Sequence, residues 1–174
     1  GDNRIILDAG ANGKVNAEII DSALESANSG DYLVCQLEIP QESVKYALEE
    51  GKEKGMITVL NPAPAAKLLP GILSNCDYFI PNQSEVKFYT DIYPEEEQSA
   101  KECANALKNF GVKNVIITMG TQGSVYVGEE GYVKVNSFKV EAIDTTAAGD
   151  TFVGALVTGL SEGMSIQSAM TFAS

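Results

Sequence analysis

Short apolar runs rich in β-branched residues alternate along this chain with longer stretches whose apolar positions recur every three or four residues. That rhythm predicts a mostly parallel sheet with crossover helices. Strands are expected over residues 4–9, 32–36, 57–61, 78–81 and 114–118. Ile19, Ile20, Ala23, Leu24 and Ala27 mark one face of a helix, and Val44, Ala47 and Leu48 mark another, with Gly51 and Gly55 punctuating its exit. A helix over 94–109 places Ala100, Cys103, Ala104 and Leu107 on one stripe. The acids Glu95, Glu96 and Glu97 then occupy its first turn, where the macrodipole favours them, and read most simply as a solvated helix start.

After Thr118 the rhythm changes. Residues 124–127 and 132–135 flank the loop GEEG and predict a β-hairpin, with a further short strand over 138–140. Over 147–160 the apolar residues Phe152, Val153, Ala155, Leu156, Val157 and Leu160 are too widely distributed for one stripe, so this helix is expected to be buried nearly all round. Another helix begins near Ser165. The reading is an α/β fold, Rossmann-like and doubly wound, with a mostly parallel sheet, flanking helices and a β-hairpin. Residues 1–174 are expected to form one domain that is incomplete, since a strand-like segment opens the chain almost at once and a helix is still running at Ser174.

Composition narrows the chemistry. With 174 residues, 44% of them hydrophobic, the chain can bury about 70% of its extended surface without metal or disulfide staples. Acidic residues outnumber basic ones 24 to 12, the net charge is −12, and Arg4 is the only arginine. Nucleic acid and anionic membrane are therefore not expected partners, since both select basic patches. No histidine is present, which removes Ser-His-Asp triads, Cys-His pairs and imidazole-ligated metals from this span. A general base here must be a carboxylate, lysine, tyrosine or thiolate. Cys35, Cys76 and Cys103 are odd in number and widely spaced, so buried thiols in a reducing, cytoplasmic compartment are expected. No apolar run reaches the roughly 20 residues of a membrane helix, and no leader pattern opens the sequence.

In open α/β sheets ligands bind beyond the carboxyl ends of the strands, so the loops there are the places to search. Four of them stand out: NPAPA from Asn61, NQSE from Asn82, GTQG between Gly120 and Gly123, and DTTAAGD from Asp144. Each has a bland alternative. NPAPA can be a proline-stiffened loop, NQSE a helix start capped by Asn82, and GTQG a plain turn. In the fourth, Thr145 or Thr146 could cap the helix, with Asp150 complementing its dipole. Gly149, however, costs roughly 1 kcal/mol relative to alanine in a helical turn, which asks for a reason such as a ligand approaching the backbone. With Ala147 and Ala148 it leaves consecutive amides unobstructed, an anion site. Amides at the helix tip favour the ionised form of Asp150, so it can accept a hydroxyl proton while they stabilise a phosphoryl group. With one arginine in the span, backbone amides and a divalent cation must neutralise phosphates. No P-loop, GxGxxG or GxSxG motif is present; GANGKV at residues 10–15 has the wrong spacing.

The string DTTAAGDTFVGA from Asp144 to Ala155 resembles the C-terminal signature of the PfkB family of carbohydrate kinases. QLE at Gln36 to Glu38, NPAPA, PNQSE from Pro81 and TMGTQG from Thr118 are similar to its ribose-phosphorylating branch, in family order along the whole chain. The resemblance implies ATP-dependent phosphorylation of D-ribose to ribose 5-phosphate, with Asp150 as base toward the 5-hydroxyl and Ala147, Ala148 and Gly149 as the anion hole. It implies that Glu38 binds ribose hydroxyls, that Asn82 contacts ATP and that Glu85 organises Mg²⁺ through water. It further implies that Thr118, Met119, Gly120, Thr121, Gln122 and Gly123 form a nucleotide loop, and that Asp144 and Thr146 help hold an activating K⁺. Family members are longer, so a glycine-pair sugar motif, most of a β lid, final helices and further cation ligands are expected outside this span. The full-length protein is expected to be a homodimer and an isolated fragment inactive. Kinases of fructose, nucleosides or other sugars, a non-catalytic nucleotide or sugar sensor, and an interaction module remain the alternatives.

Overall fold

The computed structural model describes residues 8–141 and 143–174. In chain order these form α1 (Ala17–Leu24), β1 (Tyr32–Cys35), α2 (Gln41–Glu53), β2 (Ile57–Leu60), β3 (Tyr78–Phe79), α3 (Gln83–Thr90), α4 (Glu97–Lys108), β4 (Asn114–Thr118), β5 (Ser124–Gly128), β6 (Gly131–Val135), α5 (Ala148–Ser161) and α6 (Ile166–Ala173). The six strands make one sheet in sequential order. β1 to β4 run parallel, and β5 and β6 are antiparallel. Of the strand expected over 4–9, residues 4–7 lie outside the described residues, while Asp8 and Ala9 belong to neither helix nor strand.

The period of two along each strand sorts side chains between two cores. Leu60, Phe79, Val115, Ile117, Val125 and Val127 pack on the side of α1 to α4, joining Leu24, Leu48, Ala104 and Leu107. Val59, Ile80, Ile116, Tyr126 and Val135 point the other way, to Phe152, Val153 and Leu156 of α5 and Met170 of α6. A sheet covered on both faces needs strands that are apolar throughout, which is why β2 and β4 read as continuous apolar runs. A three-layer architecture follows, a mixed six-stranded sheet with helices on both faces. Cys35, Cys76 and Cys103 are unpaired and buried, and burial pushes the Cys35 thiol up to about 11.

Three local expectations are corrected. α5 is buried along one side only: Phe152, Val153 and Leu156 face the sheet, whereas Thr151, Gly154 and Thr158 are exposed, because among the described residues only the sheet and α6 pack against it. No strand forms over 138–140; Phe138 and Val140 are 59% and 79% exposed and meet no partner strand among the described residues. α4 begins at Glu97 rather than at 94, with Glu96 at its cap. Glu97 is not merely solvated, since it accepts bonds from the Tyr132 hydroxyl and from Lys134 Nζ at 3.0 Å, both on β6.

At the amino end of the parallel strands, Asp77 ties β2 to β3. Its Oδ1 accepts from Lys52 Nζ at 2.6 Å and Lys113 Nζ at 3.0 Å, and its Oδ2 from the Thr58 amide at 3.0 Å and hydroxyl at 3.1 Å. Burial alone would raise this carboxyl, but the two ammonium groups and the Thr58 amide outweigh it and hold it below the usual range. A carboxylate whose folded-state pKa is depressed contributes stability above its unfolded value and loses it as pH falls through the folded one. Asp77→Asn in the intact protein is therefore expected to be less stable than wild type at pH 7 by roughly 1.5–3 kcal/mol. The gap should close as pH falls toward 3, read by urea denaturation across that range; a gap independent of pH would reject the assignment.

Candidate active site

The carboxyl ends of β1 to β4 open on one edge of the sheet, and the amino terminus of α5 arrives there from the other layer. Between them lies a cavity of about 150 Å³, lined by Asn61, Asn82, Glu85, Thr118, Gly149 and Asp150 among others. Residues from the loops after β2 and β3, from the end of β4 and from the α5 tip thus share one space.

Asp150 is the third residue of α5. Its Oδ1 accepts from Gln36 Nε2 at 2.8 Å, just beyond β1, and its Oδ2 has no hydrogen-bond partner among the described residues. Gln36 Nε2 also donates to Asn61 Oδ1 at 2.7 Å, and Asn61 Nδ2 donates to the Ile80 carbonyl at 2.7 Å.

The helix tip is built by backbone rather than by a side-chain cap. Ala147 is the N-cap with φ 59°, a left-handed conformation that costs an alanine roughly 1–2 kcal/mol. Neither Thr145 nor Thr146 caps the helix; Thr145 lines the cavity, and the Thr146 amide donates to Asp144 Oδ1 at 2.8 Å. That amide holds the Asp144 carboxyl below its ordinary range. The Ala148 amide donates to the Thr145 carbonyl at 3.2 Å, while the amides of Ala147, Gly149 and Asp150 have no partner among the described residues. Unpaired amides at a helix start form an anion site. A Cβ added at Gly149 would meet nothing within 4 Å, so the protein's own packing does not demand glycine there.

Opposite, Asn82 caps α3 and faces the cavity at once. Its Oδ1 accepts from the Glu85 amide at 2.9 Å, and the Glu85 carboxylate in return accepts from the Asn82 amide at 2.8 Å and from Asn82 Nδ2 at 3.0 Å. The capping reading and the site reading of NQSE therefore coexist. Burial pushes the Glu85 carboxyl up, partly opposed by the Asn82 amide. No lysine or arginine lines the cavity among the described residues, and none of them form a cluster of three or more metal-ligating side chains.

The structure brings Ala147, Ala148, Gly149, Asp150, Asn82, Glu85 and Thr118 to one cavity, and leaves other expected residues outside its walls. Glu38 is exposed beyond Gln36, and Asp144 and Thr146 are exposed before α5. Met119 is buried, and Gly120, Thr121 and Gln122 form an exposed single turn. Gly123 has φ 87°, and a Cβ there would run into the Val135 carbonyl and Asn136, so its requirement for glycine comes from the chain's own backbone. The residue pattern gave Gln36 no role of its own and marked Asn61 only as the start of a candidate loop that could equally be a proline-stiffened turn. The available signal was a polar side chain placed directly after an apolar strand.

A family profile described as pfkB family carbohydrate kinase matches residues 1–174. The chain belongs to this family. The PfkB chain is 40% identical to a ribokinase of Staphylococcus aureus over 93% of its own length and 53% of that protein's. It is 37% identical to a deoxyribokinase of Salmonella typhi, covering 87% of itself and 50% of that protein. Its fold matches a ribokinase of Arabidopsis thaliana complexed with ribose and ATP, with a TM-score of 0.87 at 24% identity, over 99% of this chain and 57% of that one. The PfkB chain thus spans about half the length of the relatives it matches. No helix among the described residues is long and apolar enough to cross a membrane.

Proposed function

We propose that the full-length protein transfers the γ-phosphoryl group of ATP to the 5-hydroxyl of D-ribose, giving ribose 5-phosphate and ADP. The observation that carries this reading is Asp150, with one oxygen unengaged, beside unpaired amides at the α5 tip and facing one cavity. Asp150 Oδ2 takes the hydroxyl proton as the sugar oxygen bonds to the γ-phosphorus. The bond from that phosphorus to the bridging oxygen breaks, and ADP leaves with the electron pair. The amides of Ala147, Gly149 and Asp150 stabilise the charge on the transferring group, while Ala148 holds the turn that presents them.

Asn82 and the loop from Thr118 through Met119, Gly120, Thr121 and Gln122 to Gly123 approach the nucleotide, and Glu38 reaches the sugar hydroxyls. Glu85 and Asp150 are hard oxygen donors with no cation beside them, a set that suits Mg²⁺ carried on phosphates and water rather than in a protein cage. Glu85 would hold that ion through water, and when bound it neutralises phosphate charge. Asp144, kept ionised by the Thr146 amide, would with Thr146 help hold K⁺. The full-length protein is proposed to be a cytoplasmic homodimer.

A 2-deoxy acceptor is the second reading, supported by the identity to a deoxyribokinase. An acceptor panel of ribose, deoxyribose, fructose and nucleosides with the full-length protein decides. Ribose is expected to give the highest kcat/KM, and clear preference for another acceptor would reject it. Binding of ATP and ribose without product would instead favour a sensor.

A further inference from the structure

We propose that Gln36 is the positioning residue for Asp150, a role that rests on the reading of Asp150 as the base. An acid at the third position of a helix ordinarily folds back onto the helix's own first amides. Asp150 is instead held from the sheet, by a side chain 114 residues earlier in the chain.

The polarity of that contact is dictated from its far end. The Ile80 carbonyl can only accept, so Asn61 must turn its Nδ2 toward it. Asn61 Oδ1 then faces Gln36, which must in turn present its amide nitrogen. That nitrogen has two protons, one directed to Asn61 and the other to Asp150 Oδ1. Asn61 is only 8% exposed, which fixes the relay against rotation. A backbone carbonyl just beyond β3 thereby determines that Asp150 meets a donor. The two carboxylate oxygens become inequivalent: Oδ1 is anchored, and Oδ2 is the one that receives the hydroxyl proton. Glu85, the other titratable group lining the cavity among the described residues, has both oxygens occupied by Asn82 and does not compete for Gln36.

The test uses the full-length kinase and the variants Gln36→Leu, Gln36→Glu and Asp150→Asn, with steady-state kinetics from pH 5 to 9. Misplacing a reacting group by about 1 Å can cost on the order of 10²-fold, so Gln36→Leu is expected to lower kcat by roughly 10- to 100-fold while KM for sugar and ATP stays within about threefold. Gln36→Glu keeps the length but faces one carboxylate with another. Its acidic limb of kcat against pH is expected to move up by about one pH unit or more, a change that loss of packing alone would not cause. Should Gln36→Leu fail to fold, the profile of Gln36→Glu decides. If both variants keep wild-type kcat and profile while Asp150→Asn is inactive, the Gln36 proposal falls and the base stands. If Asp150→Asn itself stays active, the failure belongs to the base assignment.

Discussion

Asp150→Asn in the full-length protein is expected to lower kcat by roughly 10²- to 10⁴-fold, the contribution typical of a positioned general base. Asparagine has the size of aspartate, and its Oδ1 can still accept from Gln36 Nε2, so the link between β1 and α5 survives. What changes is the second terminal atom. An oxygen that could take a proton becomes a nitrogen that already carries two and has no basic lone pair. The helix tip keeps its amides, so ATP binding should change little and the thermal midpoint should stay near that of wild type. Steady-state kinetics with circular dichroism melts check both parts; a kcat within about threefold of wild type would remove Asp150 from the reaction.

The second large effect is expected at Gly149, where stability and activity should move in opposite directions. A methyl group there meets nothing within 4 Å beyond its own helical turn, and alanine relieves the backbone entropy cost that glycine carries in a helix. Gly149→Ala should therefore be more stable by roughly 0.5–1 kcal/mol. The same methyl stands over the unpaired amides where the phosphoryl group is proposed to sit. Disturbing one donor of such a site typically lowers kcat by about 10²- to 10³-fold, and a loss toward that range is expected here. Denaturation and kinetics on the same preparation test the pair of effects. A variant that gains stability and keeps full activity would mean that the phosphates lie elsewhere.

Much of the fold was legible because strand and helix periods are local. The strands at 57–61 and 114–118, the hairpin around GEEG and the start of the helix after Asp144 all follow from spacing within a few residues. α5 was misjudged because glycine, alanine and threonine among its apolar residues blur the boundary between a stripe and an all-round core. Residues 138–140 carry β-forming side chains, yet a strand also needs a neighbour, and none pairs with them among the described residues. At the site, Asp150, Gly149 and Asn82 were visible as unusual residues in loops that follow strands. Gln36 was not, since its bonds to Asn61 and Asp150 join segments 25 and 114 residues away.

From its residue order alone this chain declared an α/β sheet, its strand ends as the place for chemistry, and a carboxylate beside small residues at a helix start. Those features depend on neighbours a few bonds away, where steric preference and hydrogen-bonding capacity are already written. Tertiary structure alone decided which oxygen of Asp150 is anchored, that Asn82 serves helix and cavity together, and that Gly123 answers to Val135 and Asn136. Such pairings arise when two layers close over one sheet and bring distant segments within about 3 Å, a distance that hydrogen bonds require and linear spacing does not encode.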